Sequence, residues 1–139
     1  EQKDAGAFVI IFPHWGNEYQ TTHSSAQETL AHAWIDEGAD LIIGSHPHVI
    51  QDTEIYNGKP IIYSLGNFLF DQTFSQNTQR GLVIKGKIQN KKLTLEFVPI
   101  ASKHLRLSLL EGEEKTQIID QLKKGLGFEA NQTIELDIK

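Results

Sequence analysis

Two apolar, β-branched runs separated by one capped helix constrain this chain more than anything else in it. AGAFVIIF at residues 5–12 and DLIIG at residues 40–44 each read as a strand buried on both faces. Between them, Ser25 opens a Ser-x-x-Glu capping box with Glu28. Ala26, Leu30, Ala33 and Trp34 then fall on one helical face, and Gly38 supplies the stop. Strand, helix, strand in this order is a βαβ unit, so its strands run parallel with a right-handed crossover. An α/β class follows.

Beyond residue 48 the pattern changes to hairpins. VIQDTEIY (49–56) and KPIIYSL (59–65) flank Asn57-Gly58, the signature of a two-residue type I′ turn. GLVIKGKI (81–88) and KLTLEFVP (92–99) form a second hairpin, and Leu105, Leu107 and Leu109 alternate as a further strand. A helix over about 113–125 turns Ile118, Ile119 and Leu122 inward, and TIELDI (133–138) closes the chain as a strand. The Gln-rich stretch 71–80 reads as a mobile loop. With 139 residues and no linker, the whole is one domain with its own core.

Parallel strands deliver the residues after their carboxyl ends to one edge of the sheet. His14 follows the first strand; His46 and His48 follow the second, just past Gly44. Neighbouring strands are ~5 Å apart, so three imidazoles can converge on one point. Gly44 lets the backbone turn, and Pro47 fixes it between the two histidines. Three imidazoles suffice for a catalytic zinc-type site with an open position; the plainer alternative is solvated loop histidines. Glu18, four residues past His14, could orient it, bind metal or act as general base, or be a solvated loop residue. Asn67, in YSLGNF, follows another apolar strand and could position a substrate, or simply form a turn beside Gly66. Trp15, Tyr19 and Phe68 read as pocket wall or packing. His32 and His104 read as solvated; His23, just ahead of the helix, reads as a loop residue or a substrate contact.

Composition excludes some functions. A net charge of −5 without a Lys/Arg stripe argues against nucleic acid. Without cysteine, disulfides and thiolate ligands are ruled out. No apolar run is long enough to span a bilayer. Methionine is also absent and the chain opens at Glu1, so it reads as a processed product or a piece of something longer.

HWGNEY, GADLIIGSHPHVIQ and GKPIIYSLGNFLFDQ, in this order and spacing, resemble the bacterial capsule-synthesis (CapA-type) family of poly-γ-glutamate production, over about residues 5–85. That family is similar to the calcineurin-like metallophosphoesterases, two-sheet sandwiches flanked by helices around two divalent metals. The resemblance implies that His14 and His46 share one ion while His48 reaches the other, with Mn²⁺, Zn²⁺ or Fe as the metal, one ion only in this chain, and a phosphoester as substrate. It implies an Asp-containing segment, a bridging Asp and an Asn-His pair ahead of Glu1, so this chain resembles the carboxy-terminal half of such a domain. Its strands then need either that missing half or self-association to cover their edges. The resemblance further implies a cell-surface setting and a hydrolase acting in capsule production. A non-catalytic component binding the anionic polymer or its synthase is the alternative; Lys85, Lys87, Lys91 and Lys92 could hold such a polymer. Hydrolysis of the polymer's own amide bonds at a single metal is a third reading.

Overall fold

The computed structural model describes residues 6–128 and 133–137. Residue 5 of the first expected strand and residue 138 of the last lie outside them. The order of elements is β1 (Ile10–Ile11), α1 (Ser25–Asp36), β2 (Leu41–Ile43), β3 (Thr53–Tyr56), β4 (Lys59–Ile62), a 3₁₀ turn (Asn77–Gln79), β5 (Arg80–Gln89), β6 (Lys92–Lys103), β7 (Arg106–Leu109), α2 (Gly112–Leu126) and β8 (Thr133–Asp137).

Two sheets result. In the first, ordered β1-β2-β4-β3, the strands β1, β2 and β4 are parallel and β3 returns antiparallel. Asn57 and Gly58 both take positive φ, as a type I′ turn requires. In the second, β5 pairs along its whole length with residues 92–101 of β6. The other edge of β6 is shared, with β8 on residues 92–96 and β7 on residues 100–103. The turn between β5 and β6 is again of the positive-φ kind, at Asn90 and Lys91.

Period-two alternation along β2 and β4 divides the core into layers. Leu41, Ile43 and Ile62 face the second sheet, where they meet Leu82, Leu93, Leu95, Phe97 and the α2 residues Ile118, Ile119, Leu122 and Leu126. Ile42, Ile61 and Tyr63 face the other way, onto Ala31 and Ile35 of α1 and onto Trp15. Strand β2 is therefore buried on both faces, as its unbroken apolar run predicts. Asp40, just ahead of β2 and 1% exposed, accepts from the Val9 amide at 3.0 Å and pairs with Lys59 at 2.7 Å, which pins the start of β1 to the sheet.

Four expectations need correction. The first strand is two residues long, and Ile10 and Phe12 are 41% and 70% exposed, because β1 is the edge of its sheet and nothing among the described residues covers its outer flank. The cap of α1 is Ser24 with Gln27, not Ser25 with Glu28; this turns Gln27, Ala31 and Ile35 inward and leaves Leu30 at the surface. The chain reverses at His104 and Leu105, both at positive φ, so the leucine alternation of β7 points outward. The stretch 71–80, read as a mobile loop, is irregular only as far as Gln76: Asn77–Gln79 form the 3₁₀ turn around a buried Thr78, and Arg80 opens β5. Among the described residues no helix is long and apolar enough to cross a membrane.

Candidate metal centre

Parallel pairing continues one step beyond β1 and β2. The Ser45 amide donates to Pro13 O at 2.9 Å and the Trp15 amide to Ser45 O at 3.0 Å, which sets His14 opposite Ser45. Gly44 makes this possible by close approach rather than by turning. A Cβ there would stand 2.1 Å from Tyr63 O and 2.4 Å from the Trp15 indole nitrogen. That nitrogen donates to Tyr63 O at 2.9 Å, so the indole crosses directly over the bare α-carbon.

The two histidines after Gly44 occupy a backbone that side chains avoid. His46 has φ 102° and His48 φ 61°, on either side of the buried Pro47. Such conformations cost ~1–3 kcal/mol each and concentrate at functional sites. Tyr19, itself at φ 64°, donates its amide to Pro47 O at 2.8 Å and so lays the Asn17–Tyr19 loop against the histidines. The consequence is convergence: the ligand atoms of Glu18, His46 and His48 all lie within 4.8 Å of one another. His48 Nε2 is 4.0 Å from Glu18 Oε1.

Two imidazoles and one carboxylate are a donor set that catalytic zinc-type sites use, with metal–ligand distances of ~2 Å. Donors so arranged need to draw in by only ~1 Å to bind one ion, and half-exposed Glu18 has room to do so. The residues therefore fit a divalent cation. His14 stands just outside this group. Its ring centroid is 4.6 Å from that of His46, it is exposed, and its Nδ1 is 3.5 Å from Ser45 Oγ. The structure thus brings Glu18 in as the third donor and leaves His14 beside it.

The other nitrogen of His48 faces the protein. His48 Nδ1 lies 2.9 Å from Asn67 Oδ1, and Asn67, 6% exposed, donates through Nδ2 to Thr78 O at 2.9 Å and to Gln72 Oε1 at 3.2 Å. The Asn67 amide is thus engaged inside the protein at both ends. Aromatic rings close the rim: Phe70 is 5.2 Å and Tyr19 6.1 Å from the His48 ring, and Phe74 meets Tyr19 edge-on at 5.0 Å. Desolvation, then the neighbouring Glu18 carboxylate, raise the Tyr19 phenol above its ordinary pKa. Of the other aromatics named from sequence, Trp15 is core and Phe68 is exposed.

The chain holds a second polar system that the sequence reading missed. Gln27 Nε2 donates to Gln51 Oε1 at 2.9 Å, and Gln51 donates in turn to the carbonyls of Gln20 and Thr22. This buried amide pair ties the start of α1 to the loop carrying Glu18. The Ser-x-x-Gln box at Ser24 was its sequence signal. His32 is not simply solvated: it stacks on Tyr56 at 3.7 Å and its Nε2 lies 2.9 Å from Glu54. His23 stacks on Tyr63 at 3.9 Å and bonds Asp52 at 3.0 Å, while the Tyr63 hydroxyl donates to Glu54 at 2.7 Å. Burial first, then that hydrogen bond, push the Tyr63 phenol far above its ordinary pKa. His104 is exposed in its turn. Of the four lysines Lys85, Lys87, Lys91 and Lys92, Lys85 pairs with Glu96 at 3.2 Å and Lys92 with Glu135, which dilutes any basic patch.

Comparison with known proteins matches this sequence to a family. The profile described as bacterial capsule synthesis protein PGA_cap matches residues 1–72. The PGA biosynthesis protein CapA of Bacillus subtilis is 42% identical over 72% of this chain and 26% of its own length. The capsule biosynthesis protein CapA of Bacillus anthracis is 41% identical over 71% of this chain and 24% of its own. A Mycobacterium tuberculosis protein named a probable polyglutamine synthesis accessory protein is 27% identical over 91% of this chain and 36% of its own. The chain therefore spans about a quarter to a third of the relatives it matches. The matched region holds the βαβ unit, both histidine loops, Glu18 and Asn67, and the chain belongs to the bacterial capsule synthesis protein family.

Proposed function

We propose that this chain forms the metal-binding edge of a phosphoesterase-like protein serving capsule or poly-γ-glutamate production at the cell surface. The observation that carries the reading is the convergence of Glu18, His46 and His48 at the carboxyl ends of two parallel strands. The production role and the surface setting rest on family membership and on the names of the relatives. A bound Mn²⁺, Zn²⁺ or Fe would supply Lewis-acid polarisation of a phosphoryl oxygen. The protein's own part is to hold two imidazoles in a strained, preset backbone and to leave Glu18 half-exposed on the solvent side. His14, exposed beside His46, is placed to join as a further donor by rotating its side chain. The aromatic rim of Tyr19, Phe70 and Phe74 limits water on one side.

Hydrolysis of a chromogenic phosphodiester tests this. Turnover should appear on adding Mn²⁺, vanish with a chelator and be lost in His46→Ala. Metal binding without any turnover would instead favour the accessory reading, in which the protein keeps the fold and binds polymer or synthase. We further infer that the uncovered flank of β1 receives additional polypeptide in the working protein, because Ile10 and Phe12 stand exposed beside an apolar hollow of about 230 Å³ that they line with Ile84 and Ile88. Equal hydrogen-exchange rates for the amides of residues 8–12 in this chain alone and in a longer protein containing it would contradict that.

A further inference from the structure

We propose that Asn67 is a positioning residue that fixes the proton of His48 on Nδ1 and so keeps Nε2 bare for a metal. The purpose of this contact rests on the metal-centre reading; its geometry does not. Thr78 O is a carbonyl and can only accept, so the atom of Asn67 facing it at 2.9 Å must be the amide nitrogen. The second hydrogen on that nitrogen is directed to Gln72 Oε1 at 3.2 Å. The amide oxygen is then the atom that faces His48 Nδ1 at 2.9 Å, and an amide oxygen also can only accept. His48 must donate from Nδ1. In the neutral ring Nε2 is then the lone-pair nitrogen, and Nε2 is the one turned toward Glu18.

The frame that enforces this is rigid. Thr78, 1% exposed, is held by its hydroxyl to the carbonyls of Gln72 and Ser75, and its amide bonds Ser75 Oγ. On the other side, a Cβ at Gly81 would stand 2.0 Å from Asn67 O, so β5 packs directly against the Asn67 backbone. A flip of the amide would set its nitrogen against His48 and its oxygen against Thr78 O, losing two hydrogen bonds at a buried position. The polar stretch after β4 therefore acts on the metal centre through one amide, without touching an ion. Partners of this kind typically govern metal affinity by ~10–100-fold.

Nitrogen-15 long-range NMR of the metal-free protein, at a pH where the ring is neutral, reads the tautomer directly. His48 should show the proton on Nδ1. Asn67→Leu should release it to a mixture of tautomers and weaken Mn²⁺ binding by ~10–100-fold in calorimetry. Asn67→Asp, which keeps an acceptor toward Nδ1 but sets its second oxygen against Thr78 O, should keep the Nδ1 proton at a cost in stability. A wild-type His48 protonated on Nε2, or a tautomer unmoved by Asn67→Leu, would overturn the proposal, and the wild-type spectrum needs no variant to fold. Failure of the wild type to bind Mn²⁺ while His48 keeps its Nδ1 proton would sink the metal reading alone.

Discussion

The two sheets are made of different strands and do different work. The first has strands of two to four residues, three of them parallel, and its loops hold every donor of the candidate centre. The second has antiparallel strands of up to twelve residues joined by tight turns, and it contributes Leu82, Leu93, Leu95 and Phe97 to the core. Parallel strands send all their carboxyl ends to one edge, so short strands suffice to gather side chains from distant positions. Antiparallel hairpins scatter their ends. The candidate donors and the longest strands thus lie in different layers, and that division can be attacked by mutation.

The largest expected effect falls on the core between the sheets. Leu122 of α2 is fully buried in the cluster that both sheets share, so Leu122→Ala should cost about 2–5 kcal/mol in denaturant unfolding while leaving Mn²⁺ affinity unchanged. A parallel loss of affinity would mean that the two layers are not independent. Tyr63→Phe comes next, with ~1 kcal/mol from the lost bond to Glu54. Its pH dependence gives the sharper test. In the folded protein the Tyr63 phenol is raised, whereas in the unfolded chain it ionises near pH ~10. Its contribution is therefore complete below ~pH 10 and declines as pH rises further, because the unfolded state sheds the proton first. Alkaline unfolding curves of wild type and Tyr63→Phe should converge and then cross above that pH; parallel curves would refute the burial argument.

An effect of similar size but opposite sign is expected in the first sheet's loop. His46→Gly relieves a φ of 102° and should raise stability by ~1 kcal/mol while abolishing metal binding. Loss of stability instead would show that the His46 ring is structural packing. The least effect belongs to Leu107→Ser on exposed β7, within ~0.5 kcal/mol of wild type and without influence on metal. A large cost there would reveal a partner on that face.

The sequence made the βαβ unit legible because its apolar runs and Gly38 stop leave little choice. The first hairpin was equally plain from Asn57-Gly58. Its limits were local and physical. SSAQE offers two capping boxes one residue apart, and what selects Ser24 with Gln27 is Gln51, a partner 24 residues away. Alternation at Leu105, Leu107 and Leu109 announces a strand but cannot say that its apolar face is left uncovered. Among the site residues, His46 and His48 could be placed from strand ends alone. Glu18 reaches them only through the Tyr19–Pro47 hydrogen bond, and Asn67 only through Thr78, contacts that no periodicity encodes.

X-ray absorption of the Zn²⁺- or Mn²⁺-loaded protein reads the proposed ligand shell itself. One bound ion is expected, with imidazole and carboxylate donors in its shell, losing an imidazole in His48→Ala and the carboxylate in Glu18→Gln. An absent ion, or a shell unchanged by both substitutions, would contradict it.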